Sequence, residues 1–204
     1  VYLTMRRNAV LRGARGARTP PGDARALLAG LVRREPTDVD RDMPKVRSQF
    51  LVRTVPGEEL RALVADELAA TVEKLRRNVQ GRDENRSLGR LTTFLGRVPH
   101  AWAGRMLVDL LTGLKMPTRV GFLRLGISVM RALFARPHVE RECLEVLVDL
   151  VDHRLDGQVP MEWRSLLRMV LLKGGEHSLA LLQQKLAAQD GTFLQQQVYS
   201  AFQD

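Results

Sequence analysis

Four carboxylates, Glu142, Glu145, Asp149 and Asp152, recur at three- and four-residue steps. That spacing places side chains on one face of a helix. Paired carboxylates can serve acid–base catalysis or hold a metal ion, and both uses need supporting groups nearby. His100, His138, His153 and His177 are scattered, and no two of them stand four residues apart. The acidic face therefore predicts a partner-binding or solvated surface rather than a reaction centre. Cys143, the single cysteine, falls inside the same apolar pattern and predicts a small buried side chain. One cysteine excludes a disulfide within the chain and a zinc site built from cysteines. No phosphate-binding glycine loop, nucleophile elbow, dinucleotide fingerprint or metalloprotease helix is present. The residues thus predict a non-enzyme with no catalytic group, no metal ligand, no cofactor and no small-molecule substrate.

The basic residues carry a sharper signal. Net charge is +9, and of 32 basic residues only Lys45, Lys74, Lys115, Lys173 and Lys185 are lysines. Arginine makes forked contacts with phosphate that lysine does not. Residues 1–22 hold Arg6, Arg7, Arg12, Arg15 and Arg18 and no acid. Residues 1–56 hold 12 basic and 5 acidic residues, a net of +7, whereas the remaining 148 hold 20 and 18, a net of +2. Residues 76–136 carry 12 basic residues against 3 acids, and residues 137–162 carry 2 against 7. Arg82, Arg86 and Arg90 stand at four-residue steps, with Arg97 two turns further along and Arg131 seven residues after Arg124. A basic strip of this kind attracts polyanions. Aromatic residues are only 5% of the chain, so the stacking platforms of single-strand binders are missing. The expected RNA contact is to backbone and shape, through Arg6, Arg7, Arg12, Arg15, Arg18, Arg82, Arg86, Arg90 and Arg97.

The elements that position these residues read as helices. Apolar residues are 45% of the chain and are mostly Leu, Val and Ala, a balance that favours helix over strand. No run approaches the roughly 18 apolar residues of a membrane span. Residues 1–56 predict a basic, largely extended arm, with a short amphipathic helix at Ala24–Arg34 and a strand-like run at Gln49–Val55. From residue 57 to 204 the pattern predicts a helical domain, with helices over Glu58–Val79, Asp83–Arg97, Pro99–Lys115, Pro117–Arg136, Pro137–Leu155, Pro160–Lys173, Glu176–Gln189 and Thr192–Phe202. Pro99, Pro117, Pro137 and Pro160 stand 18, 20 and 23 residues apart and predict helix starts, where proline is tolerated. Short links between them predict antiparallel packing.

A helix and turn of about 20 residues makes a hairpin of about 40, near the period of helical solenoids. In this the body resembles a HEAT or armadillo-like array, which implies stacked antiparallel hairpins; an irregular helical bundle is the alternative. Val1–Pro21 is similar in composition to an organellar transit peptide. A basic extension on a compact helical body resembles, in style, the proteins of mitochondrial ribosomes. That resemblance implies a structural subunit of an RNA-containing assembly in the mitochondrial matrix, contacting rRNA and neighbouring proteins. The alternative is a protein–protein adaptor without a nucleic-acid role, in the cytoplasm if the N-terminal composition is not an address.

Overall fold

A computed structural model describes residues 21–33, 43–77, 82–113, 120–154 and 168–188. All regular structure among them is α-helical, and the protein is all-α. The elements are α1 (Pro21–Arg33), α2 (Met43–Thr54), α3 (Gly57–Arg77), α4 (Arg82–Arg97), α5 (Ala101–Gly113), α6 (Val120–Ala135), α7 (Arg141–Arg154) and α8 (Gly175–Ala188). Residues 168–173 are helical as well. The chain divides into two units between Phe94 and Leu95, inside α4.

In the first unit α1, α2 and α3 pack against one another. α1 buries Ala24, Leu28, Leu31 and Val32, a face with four- and three-residue steps. α3 buries Leu60, Val64, Thr71 and Leu75, with Glu58 and Glu59 in its first turn and Lys74, Arg76 and Arg77 in its last. That charge order follows the helix dipole. Each fully buried leucine contributes about 1.5–3 kcal/mol relative to an exposed one.

α2 corrects, from residue 43 on, the expectation of extended chain over 36–56; residues 36–42 lie outside the described residues. Residues 43–54 are helical, and so is most of the run Gln49–Val55 expected to be strand-like. Pro44 occupies the first turn, where its missing N–H removes no helical bond. Pro56 falls two residues past the end. The prolines bracket the helix instead of interrupting it. Its buried residues are Ser48, Leu51, Thr54 and, just beyond, Val55. Two of these four are hydroxyl residues, which hides the helical period from a reading of apolar spacing. Thr54 Oγ1 turns inward and donates to Phe50 O at 2.9 Å.

In the second unit α5 packs against both α6 and α7, and α7 packs against α8. The core includes Leu107, Leu111, Val129, Met130, Leu133, Leu144 and Leu147. The prolines act here as stops rather than starts. Pro99 lies two residues after α4 ends, and α5 begins at Ala101; Pro137 lies two residues after α6, and α7 begins only at Arg141. A proline disfavours helical geometry at the residue before it, so Pro99 and Pro137 each follow a helix end. Gly174 N donates to Leu171 O at 2.9 Å, and Gly175 has φ of +55°. Glycine adopts this left-handed turn without a Cβ penalty, and α8 begins there. Pro117, Pro160 and the expected helix at Thr192–Phe202 lie outside the described residues.

Candidate functional site

The expected RNA-contact residues separate into three groups. Arg6, Arg7, Arg12, Arg15 and Arg18 lie outside the described residues. Arg82, Arg86, Arg90 and Arg97 all fall on α4. Arg86 and Arg97 are exposed, with Arg86 3.7 Å from Asp83. Arg90 behaves differently, being partly buried with its Nη1 donating to Val32 O at 2.8 Å. Arg47 Nη1 reaches Gly30 O in the same helix end at 3.3 Å. The last carbonyls of a helix have no partner within it. The two arginines supply donors there and complement the negative end of the α1 dipole.

The acidic face is also partly engaged. Glu142 is 3.1 Å from Arg105, and Glu145 is 3.1 Å from Arg141. Asp149 and Asp152 belong to α7. The exposed pairs are worth at most about 1 kcal/mol each, but they lower the negative potential that the sequence alone assigns to this face. Among the described residues no group of three or more His, Cys, Asp or Glu side chains could hold a metal ion.

The most elaborate polar arrangement is absent from the sequence-based expectations. Arg136 is 1% exposed and sits just past the end of α6. Its Nη1 donates to Val98 O at 2.8 Å and Leu95 O at 3.3 Å. Its Nη2 donates to His100 O at 3.2 Å and to Glu140 Oε1. One guanidinium thus closes the C-terminal end of α4, ties it to the start of α5, and neutralises a carboxylate one turn away. A buried charge is tolerated when it is paired and hydrogen-bonded in this way. Gly104 makes room for it: a Cβ there would collide with Glu140 Oε2 and lie 3.2 Å from Arg136 Nε. Lys173 caps the end of α6, donating from Nζ to Phe134 O and Arg136 O. The same ammonium lies 4.7 Å from the centroid of the Phe134 ring, a cation–π distance.

Cys143 is 2% exposed, with Sγ 3.9 Å from Glu140 Oε2. Burial, reinforced by the Glu140 carboxylate, pushes its thiol up to about 12. The small buried side chain expected from sequence is what the structure contains, in its unreactive protonated form. His100 stacks on Trp102 with centroids 6.0 Å apart, so Trp102, half-buried, packs at the start of α5. The signal that would have found Arg136 is its register. Val129, Ala132 and Leu133 are buried, and residue 136 continues the same stripe.

Fold and site together define an all-α protein whose basic side chains close helix ends as well as face solvent. No helix among the described residues is long and apolar enough to cross a membrane. No family model, no curated protein and no solved structure matches the chain.

Proposed function

We propose that the chain is a non-catalytic structural subunit of a large RNA-containing assembly, a mitochondrial ribosome being the concrete instance, anchored by arginine–phosphate contacts. The observation that carries this reading is the placement of charge: five arginines and no acid in residues 1–22, within a segment that holds +7 of the net +9. Such a segment binds phosphates through counterion release without needing a folded pocket. Exposed Arg86 and Arg97 add fixed positive charge on α4. The rest of the body supplies neighbouring proteins with helical surfaces. The arginine-rich, acid-free composition of the first 21 residues supports the mitochondrial assignment.

The test is RNA binding by the full chain at graded salt. Replacing Arg6, Arg7, Arg12, Arg15 and Arg18 by Gln should lower the slope of log affinity against log salt by about 4, since each phosphate contact contributes about 0.7–0.9. An unchanged slope would sink the arm's role.

The second reading is a protein-binding adaptor using Glu142, Glu145, Asp149 and Asp152. What favours it is exposed apolar surface in the same unit, Leu172 at 54% and Leu179 at 48%. Charge reversal at Glu145 and Asp149 would then abolish capture of a protein partner and leave RNA binding intact.

A further inference from the structure

The end of α4 approaches α6 closely enough to place two arginines together. A Cβ at Gly96 would meet Ala132 O at 2.7 Å and Ala132 Cα at 3.0 Å. The helices therefore touch backbone to backbone at this point. Arg97 and Arg131 each stand one residue from it, and both are exposed. Consecutive Cα atoms are 3.8 Å apart, so the two arginine Cα atoms lie within about 12 Å of each other.

The surroundings suit an anion. Pro99, two residues after Arg97, and Ala135, one turn after Arg131, are exposed and neither acidic nor bulky. From residue 95 to residue 139 the sequence contains one acid, Asp109, against seven basic residues. Among the described residues, Arg136 is engaged with Glu140 and Arg105 with Glu142. Arg97 and Arg131 are held on helices, with side chains long enough to converge on neighbouring phosphates of one strand. The aromatic rings nearby are not open platforms. Phe94 is 1% exposed, and the Lys173 ammonium sits over the ring of Phe134. A single strand would need a stacking surface, whereas a duplex is gripped through its regular backbone.

We infer that Arg97 and Arg131 form a phosphate clamp for duplex RNA. The inference rests on the RNA-binding reading above and assigns it a second site, independent of the N-terminal arginines. It is tested with the full chain, a duplex of about 20 base pairs and a single strand of the same length as probes, over the roughly 50–200 mM salt range where phosphate contacts show most clearly. Arg97→Gln combined with Arg131→Gln removes two phosphate contacts. Over that salt range the wild type should lose about tenfold more duplex affinity than the variant. Single-strand binding should change less, and the melting temperature should not change, because both side chains are exposed. The control is Arg53→Gln combined with Arg76→Gln, which removes the same charge from exposed positions on α2 and α3.

An unchanged duplex salt dependence in the clamp variant overturns the inference, as does an equal loss in the control. If the N-terminal Gln variant loses affinity while the clamp variant does not, the clamp fails and the RNA-binding reading stands. If the wild type binds neither probe, both fail.

Discussion

Replacing Arg136 by Met isolates what the buried guanidinium contributes. Four acceptors lose a donor, but not equally. Leu95 O keeps the amide of Val98 at 3.2 Å, and His100 O keeps the amide of Ala103 at 3.0 Å. Val98 O is left with no other bond among the described residues. A buried acceptor without a partner costs about 1–3 kcal/mol. The larger loss is at Glu140, whose side chain is 9% exposed. The His138 ring, 3.8 Å from the same oxygen, is mostly exposed and does not replace the buried guanidinium. Removing one member of a buried pair costs about 3–5 kcal/mol because the other charge stays desolvated. Arg136→Met should therefore cost roughly 5 kcal/mol, a large share of the stability of an ordinary domain. Adding Glu140→Leu removes the stranded charge, so the double variant should recover about 3 kcal/mol. The assay is urea unfolding in a Trp163→Phe background, where Trp102 is the one remaining tryptophan and reports on the start of α5. A double variant no more stable than Arg136→Met, or a coupling below about 1 kcal/mol, would refute the claim that the pair acts as a unit.

Further outcomes concern Cys143 and two glycines of α4. Cys143 should resist alkylation in the native protein near neutral pH and react on unfolding. Its folded pKa, about 12, lies above the ordinary thiol value of 9.0, so its contribution to stability is complete below the ordinary value and is lost as pH rises from there towards the folded one. Urea midpoints that do not fall more steeply for the wild type than for Cys143→Ala across that window would contradict the assignment. Gly96→Ala should destabilise by about 1–3 kcal/mol, because the new methyl meets the backbone of Ala132. Gly89→Ala has open space around it and should stabilise by up to about 1 kcal/mol. Thermal melts showing the same sign for both would refute the close approach of α4 and α6.

The two glycines illustrate what could and could not be read from the chain. Both fall in the helical pattern of α4 and both look like weak points there. One lies against open space and the other against the backbone of Ala132, a distinction that depends on a residue remote in the chain. The same holds for arginines. Arg86 and Arg90 are one turn apart and chemically identical, yet one is exposed and the other donates to Val32 O across 58 residues. The acidic face was legible as a face, because helical spacing is local, but not the ion pair between Glu142 and Arg105.

What the sequence determined alone is therefore the local part. Apolar steps of three and four residues specify helices over α1 and α3–α8, because burial of one stripe is a property of each segment. Composition likewise determined where the charge excess lies along the chain. The tertiary structure decided the rest. It made residues 43–54 a helix, since Ser48 and Thr54 are buried by packing against α1 and α3 and not by their own apolarity. It also decided which cations remain for a partner. A buried carbonyl at a helix end must find a donor, and only the fold determines that Arg47, Arg90, Arg136 and Lys173 are the donors within reach.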